Sequence, residues 1–173
     1  MEKLGKDYEA LKSFDRALEI DPNDSRVLDS RGLILGEFGK DYEALKSFDR
    51  ALEIDPNDSG IWNNRAITLK KLEKYTEALI SFDKALEIDP ENDHAWNNRG
   101  NLFKQIGKYE EAIINYEKAI KIDPKNVKTF YNKGITLMDL GKDHEAIKSF
   151  DKALELDPTF EPALKAKEEY FGF

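Results

Sequence analysis

Cysteine is absent from this sequence of 173 residues, and histidine nearly so. Without cysteine there is no disulfide, no thiolate nucleophile and no cysteine-ligated metal. The two histidines, His94 and His144, are fifty residues apart, so the sequence offers no closely spaced imidazoles for a metal or for acid–base chemistry. We expect no catalytic residue, no metal site and no cofactor, and therefore that the protein is not an enzyme.

Long apolar stretches are missing as well. No run approaches the roughly 18 residues that a membrane-spanning helix requires, and Met1–Gly5 lacks the basic and then apolar order of a signal peptide. No glycine-rich phosphate loop and no HExxH motif occurs. Since 40% of the residues are hydrophobic and 36% charged, the composition is that of a folded protein. We expect a cytoplasmic protein with no membrane partner.

A period of 34 residues organises the chain. The dipeptide Asp-Pro begins at Asp21 and returns every 34 residues as far as Asp157. The aligned columns hold alanine at 10, 44, 78, 112 and 146, an aromatic ring at 14, 48, 82, 116 and 150, a large apolar residue at 28, 62, 96 and 130, and a small residue at 32, 66, 100 and 134. Apolar residues at helical spacing predict two helices in each period, which we call A and B.

Turn and cap residues mark the ends of these helices. The Asp-Pro dipeptide ends helix B, because the residue before proline disfavours the helical conformation. Glycines stand where helix A ends and predict a left-handed residue there: Gly5, Gly39, Gly107 and Gly141. Glu73 replaces this glycine in one period, so we expect that turn to differ. Ser25, Ser59 and Asp93 are predicted as N-caps of the next A helices.

The columns resemble the signature of the tetratricopeptide-repeat (TPR) family, in which Trp, Gly, Tyr, Ala, Phe, Ala and Pro recur over 34 residues. The resemblance implies an all-α fold, a right-handed superhelical solenoid of antiparallel helix pairs. We expect one domain, 1–173, with complete repeats at 25–58, 59–92, 93–126 and 127–160. Residues 1–24 are a partial repeat with helix B alone, and residues 161–173 form a C-terminal helix. The cysteine-free composition, rich in Lys, Glu and Ile, is typical of a prokaryotic-type member.

In the TPR family the A helices line a concave groove that holds a peptide or protein segment. Carried over position by position, the resemblance predicts a groove lined by Asn63, Asn64, Ile67, Lys70, Lys71, Asn97, Asn98, Asn101, Lys104, Lys128, Tyr131, Asn132 and Ile135. The first complete repeat adds Arg26, Asp29, Ser30, Leu33 and Glu37. Asn64, Asn98 and Asn132 form a column whose amides can donate to and accept from an extended peptide backbone. The other interpretation is that asparagine is tolerated on a wet helix face.

Charge divides between the two kinds of helix. The A segments carry a net charge of +3 and the B segments −11, which together give the −8 of the whole chain. The long-range field at the groove therefore favours a protein or peptide partner that carries negative charge. We expect no nucleic-acid partner, because phosphate binding needs a basic surface.

Two further columns carry charge. The family usually has leucine before the small residue, but this chain has Arg31, Arg65, Arg99 and Lys133. Either their stems pack between helices while their heads reach nearby carboxylates, or they form a stripe for an acidic peptide. The acidic column on helix B is Asp15, Asp49, Asp83, Glu117 and Asp151. We interpret it as a solvated face, because catalysis needs an asymmetric cluster.

The sequence therefore predicts a protein–protein interaction scaffold that binds a peptide or protein segment in its groove. The alternative is a self-assembling structural solenoid that associates head-to-tail without a separate ligand. That alternative rests on the partial repeat at 1–24, in which Leu11, Phe14 and Leu18 lack a helix A. The C-terminal helix or tail of another copy is the expected cover.

Overall fold

A computed structural model describes residues 2–172, with side chains from Asp7 to Gly172. In this part of the chain the regular structure consists of ten α-helices and no strand, which confirms the predicted all-α class. The helices are α1 (Glu2–Ile20), α2 (Ser25–Glu37), α3 (Asp41–Ile54), α4 (Ser59–Lys71), α5 (Tyr75–Ile88), α6 (Asp93–Gln105), α7 (Tyr109–Ile122), α8 (Val127–Asp139), α9 (Asp143–Leu156) and α10 (Glu161–Phe171). None of the helices described is both long and apolar enough to cross a membrane.

The helices belong to two compact units, Met1–Pro90 with α1–α5 and Glu91–Phe173 with α6–α10. In the first unit α2 packs on α3 and α4 on α5, and in the second α6 packs on α7 and α8 on α9. Turns of three residues, such as 38–40, reverse the chain between the members of each pair, so that the pairs are antiparallel. The even-numbered helices are the A helices of the sequence repeat and the odd-numbered ones the B helices.

The core of each unit lies at the contact between A and B helices. Leu28 and Leu35 of α2 pack there with Phe48 of α3 in the first unit. Leu137 of α8 and Phe150 of α9 belong to the corresponding cluster of the second unit. Since the buried side chains recur at the period of the sequence columns, those columns are the core positions.

Small residues allow the helix pairs to cross closely. A β-carbon on Gly32 would lie 2.5 Å from the Phe48 ring, and one on Gly134 would lie 2.5 Å from the Phe150 ring. In the α4–α5 pair the small residue is Ala66, which is fully buried. The ring at the position of Phe48 is Phe82 of α5, and it is fully buried as well. The small column is therefore required because a large ring on helix B occupies the space beside it.

The turn after each A helix uses a left-handed residue. Gly39, Gly107 and Gly141 have φ angles of 71°, 76° and 70°. Glu73 takes the same conformation, with φ of 59°, and its N–H donates to the Lys70 carbonyl at 3.1 Å, as the Gly39 N–H donates to the Gly36 carbonyl at 3.2 Å. The prediction that this turn differs is wrong, because the hydrogen bonds of the turn hold Glu73 in a conformation that glycine prefers.

Two predictions about helix ends are also wrong. Gly5 lies inside α1, since the residues before it continue the helix and no turn is needed there. The N-caps of α2, α4 and α6 are Asp24, Asp58 and Asn92, each one residue before the predicted position, and α8 is capped by Asn126. Asp58, for example, has an extended backbone and accepts from the Ile61 N–H at 3.1 Å. Ser59 is already the first helical residue, so it is not the cap.

Candidate functional site

The basic column joins successive helices through its charged heads. Arg65 on α4 donates from Nε to the Asp49 carboxylate of α3 at 2.7 Å and from Nη1 to the Ser81 hydroxyl of α5 at 2.6 Å. Its side chain is 20% exposed. The arginine therefore fastens helix A to the helix B before it and to the helix B after it.

The same arrangement recurs elsewhere. Arg31 donates to Asp15 and to the Ser47 hydroxyl, both at 2.8 Å, Lys133 pairs with Glu117 at 2.8 Å, and Lys167 pairs with Asp151 at 2.7 Å. These contacts favour the structural interpretation of the basic column over a stripe for acidic peptide. They also give the acidic column a specific role, because its members are the partners of the basic one.

The predicted groove residues lie on the A helices. Lys71 and Lys128 are exposed, and the others are half-buried: Asn63, Asn64, Ile67, Lys70, Asn97, Asn98, Asn101, Lys104, Tyr131, Asn132 and Ile135. Burial lowers the pKa of Lys70, and the neighbouring charge of Lys71 adds to this effect. Within each unit these residues are partly accessible polar side chains with a few apolar ones among them.

In the first unit an amide links two neighbouring A helices. Nδ2 of Asn64 on α4 donates to the Asp29 carboxylate of α2 at 2.9 Å. Burial raises the pKa of Asp29, although the hydrogen bond from Asn64 acts in the opposite direction. Nearby, Nζ of Lys71 donates to the Gly36 carbonyl at 3.3 Å and lies 3.7 Å from Asp41. The amide is thus held in a fixed orientation, with its second N–H and its oxygen left over.

An open cavity of about 250 Å³ lies between α2 and α4 beside this amide. Its lining residues are Gly32, Leu33, Gly36, Glu37, Phe48, Asn64, Ile67, Thr68 and Lys71. Gly36 was not among the predicted groove residues. The signal was present in the sequence, since the equivalent positions of the next three A helices hold Lys70, Lys104 and Met138.

The second unit repeats the amide link. Nδ2 of Asn132 on α8 donates to Oδ1 of Asn97 on α6 at 3.1 Å, and Lys104 reaches across to Asp139 at 3.6 Å. Asn101 accepts from the Tyr116 hydroxyl at 2.8 Å. Because these side chains bond to one another between α6 and α8, this part of the A-helix surface is polar.

Tyr131 also packs against other side chains of its own unit. Its ring packs edge-on against Phe160, with centroids 5.6 Å apart, and lies 6.0 Å from the Phe150 ring. Tyr131 and Ile135 both pack against the core cluster of the second unit. These two residues are therefore partly structural, whereas Lys128 is exposed at the start of α8.

Among the residues that the structure describes, no three or more His, Asp or Glu side chains are placed to hold a metal ion. The carboxylates of the acidic column whose contacts are described above are paired with basic side chains. What the A-helix surfaces offer is amide groups, a cavity and scattered lysines.

Antiparallel helix pairs at a fixed sequence period define a helical-repeat protein. Tetratricopeptide-repeat models match residues 60–92 and 127–160, 81–114 and 2–24, and a TPR repeat model matches residues 100–141. The chain belongs to the TPR family. A model of the protein prenyltransferase alpha subunit repeat also matches, over residues 41–72. No curated protein matches the chain in sequence.

Several solved structures share the fold. MamA, in one of its crystal structures, is 23% identical in sequence to this chain. The match covers 94% of this chain and 92% of that chain, with a TM-score of 0.79. MamA 41-end from Desulfovibrio magneticus RS-1 is 24% identical, with 91% and 89% covered and the same TM-score of 0.79. YrrB, described as a TPR protein with an unusual peptide-binding site, is 25% identical, with 96% and 86% covered and a TM-score of 0.76. These likenesses confirm the TPR fold.

Proposed function

We propose that this protein is an interaction scaffold whose A helices bind an extended peptide or protein segment. The observation that carries the proposal is a pair of oriented amides. The Asn64 amide donates a hydrogen bond to Asp29, and the Asn132 amide donates one to Asn97. Each amide bonds to the neighbouring A helix through one N–H, so its remaining N–H and oxygen can meet a peptide backbone without first being ordered. The description of YrrB as having a peptide-binding site supports the same use of the fold.

The preferred partner carries negative charge. The A segments have a net charge of +3, in contrast to −11 on the B segments. The basic column contributes four of the positive charges on the A segments, but the heads of Arg31, Arg65 and Lys133 are directed at carboxylates of the B helices. At the groove the positive charge is therefore supplied by accessible lysines such as Lys71 and Lys128. Salt should therefore slow association with such a partner, because exposed charges are screened over about 10 Å at ordinary ionic strength.

The test combines affinity capture from the source lysate with binding measurements on the captured partner. Asn64→Ala together with Asn132→Ala removes both amides and should weaken binding by about 1–3 kcal/mol, or roughly 5–150-fold. Lys152→Ala on α9 is the matched control, since its side chain pairs with Glu155 on a B helix. Unchanged affinity in the double variant would contradict the proposal.

A further variant separates binding from structure. The amides also join neighbouring A helices, so their removal can act through the fold. Asp29→Ala removes the internal partner of Asn64 and leaves the amide in place. If the amides act by contacting the ligand, Asp29→Ala should lose less affinity than Asn64→Ala, because the amide remains although its orientation is no longer held. Thermal melting of all variants by circular dichroism checks that each one folds.

A second candidate function is head-to-tail self-association, and the exposed face of α1 favours it. Ala44, Phe48 and Ala51 on α3 are at most 1% exposed, whereas the identical residues of α1 are only half-buried. Ile20 is 84% exposed, and on α10 Tyr170 is 57% exposed. Sedimentation equilibrium tests this candidate: mass that rises with concentration supports it, and a constant monomer mass contradicts it.

The side chain of Glu168 makes self-association the less favoured of the two candidate functions. If α10 of one copy covered α1 of another as α2 covers α3, Glu168 would stand where Gly32 stands and would face Phe14. A single β-carbon at Gly32 would already lie 2.5 Å from the Phe48 ring, so a glutamate side chain does not fit this crossing. Self-association would need a different geometry, whereas peptide binding uses the A helices as they are.

A further inference from the structure

The cavity between α2 and α4 is lined by apolar side chains at positions where the second unit has polar ones. Leu33, Ile67 and the Phe48 ring are among its lining residues, and Leu33 remains 46% exposed. Exposed apolar surface in a concave site is the usual mark of a place where a ligand is bound. The cavity lies on the surface that we propose for peptide binding.

The second unit has polar residues at two of the equivalent positions and a tyrosine at the third. Between α6 and α8, Asn101 stands at the position of Leu33, Tyr116 at that of Phe48, and Lys104 at that of Gly36. Asn101 accepts from the Tyr116 hydroxyl, and Lys104 extends across to Asp139. In the first unit all three positions are changed together, to two apolar residues and one glycine. The first unit therefore has apolar side chains and a glycine lining a cavity where the second unit has polar contacts.

Gly36 is the residue that keeps the cavity open. The nearest atom to a β-carbon at Gly36 would be Nζ of Lys71, at 4.0 Å. The space between this position and the Lys71 ammonium is therefore empty. A cavity of about 250 Å³ is more than the ~150 Å³ that accepts a benzene-sized molecule in a protein core. The space is therefore large enough for a leucine- or phenylalanine-sized side chain.

We propose that this cavity is a specificity pocket for one bulky apolar side chain of the bound peptide, with a carboxylate beside that side chain contacting Lys71. Lys71 is half-exposed, lies at the cavity, and makes only a 3.3 Å hydrogen bond to Gly36 and a 3.7 Å ion pair to Asp41. Its ammonium therefore has a donor to spare for an anion. The partner class is a peptide with an aliphatic or aromatic anchor and one carboxylate that contacts Lys71 and is placed away from Glu37, the other charged residue of the lining. This inference rests on the proposed function and specifies its ligand.

The experiment uses N-acetyl-leucine as the probe and follows the methyl signals of Leu33 and Ile67 by NMR. A fragment of this size should bind in a roughly millimolar range and shift both methyl groups in a saturable way. N-acetyl-alanine should bind at least about tenfold more weakly, because it lacks the buried carbons. N-acetyl-leucinamide, which lacks the carboxylate, should also bind more weakly if Lys71 takes part.

Two substitutions at one position provide the matched control. Gly36→Met fills the cavity and should abolish the saturable shifts, whereas Gly36→Ala leaves the cavity open and should retain them. Leu33→Asn introduces the residue of the second unit at an exposed position and should weaken the probe without affecting the fold. Saturable shifts that persist in Gly36→Met, or equal shifts with the leucine and alanine probes, would overturn the pocket.

Failure of the pocket and failure of the proposed function give different results. If the double asparagine variant loses the captured partner while Gly36→Met does not, the groove stands and the pocket is wrong. If the leucine probe binds as described but the asparagine variant keeps its partner, the amide contacts of the proposed function are wrong, and loss of the captured partner in Gly36→Met decides whether the pocket takes part in binding it. Absence of any saturable shift with N-acetyl-leucine also rejects the pocket.

Discussion

The contact between Gly134 and Phe150 yields a quantitative prediction about how A and B helices cross. A β-carbon on Gly134 would lie 2.5 Å from Cε1 of Phe150, whose ring is 0% exposed. Because the ring is enclosed by other side chains, Gly134→Ala must push either the ring or the helices apart. Overpacking of this kind costs about 1–3 kcal/mol.

Alanine also has a higher helix propensity than glycine, by about 1 kcal/mol, so the net loss of stability should be about 0–2 kcal/mol. Gly36→Ala separates the two effects. Gly36 is also helical, but the nearest atom to its β-carbon would be Lys71 Nζ at 4.0 Å. That substitution should stabilise the protein by roughly 0.5–1 kcal/mol. The difference between the two variants isolates the packing cost, about 1–3 kcal/mol.

Urea unfolding followed by the helical circular dichroism signal measures both variants against the unsubstituted protein. Equal m-values are expected, because neither change alters the surface exposed on unfolding, so the midpoints should move in opposite directions. Ala66→Gly adds a check in the pair where alanine is native, and it should cost about 1 kcal/mol. If Gly134→Ala proves as stabilising as Gly36→Ala, the close crossing described here is wrong.

Three further predictions concern other features of the fold. Glu73→Gly should stabilise the protein by about 1 kcal/mol, seen as a higher thermal midpoint, because it relieves a left-handed non-glycine residue. Arg65→Ala should cost about 1–3 kcal/mol in urea unfolding, whereas Lys152→Ala, whose ion pair with Glu155 is exposed, should cost less than about 1 kcal/mol. Asp29→Asn should stabilise the protein at neutral pH, because burial raises the pKa of Asp29 and so penalises its ionised form in the folded state. In unfolding measured across pH, that gain should disappear as the pH falls below the ordinary carboxyl value of 3.8.

The helix pairs could be predicted because their signals are local and recur at one period. Small residues such as Gly32, aromatic residues such as Phe48 and the Asp-Pro dipeptides each have a single physical role that does not depend on distant parts of the chain. Apolar spacing then fixes which side of each helix is buried. The TPR family and the all-α class followed from these columns.

The helix ends were predicted less well, because neighbouring residues compete for one role. Asp24 and Ser25 are both good N-caps in isolation, and the structure selects Asp24, whose carboxylate reaches the Arg26 and Val27 amides at 3.0 and 3.2 Å. At Glu73 the prediction from residue type was wrong for another reason. Its residue type argues against a left-handed turn, but the hydrogen bonds of the turn outweigh the local preference.

The links between groove residues could not be predicted from residue types. Asn64 and Asp29 are 35 residues apart, and their hydrogen bond depends on how α2 and α4 lie side by side. Sequence reasoning placed each asparagine on the A-helix surface but treated its amide as wholly available to a ligand. The structure shows that one N–H of Asn64 and one of Asn132 are already used, which alters how the test variants must be chosen.

Comparison of the repeats within this one chain separates positions that maintain the fold from positions that can confer specificity. The basic column stays basic in every complete repeat, and the contacts of Arg31, Arg65 and Lys133 show why, since each fastens its A helix to a neighbouring helix. The column of Gly36 instead changes from glycine to lysine to methionine, and no helix crossing depends on it. A side chain that the fold does not constrain is free to be fitted to a ligand. If the A helices bind the partner as proposed, variation between repeats at their surface is where the identity of the partner would be encoded, and substitutions at Gly36 test this most directly.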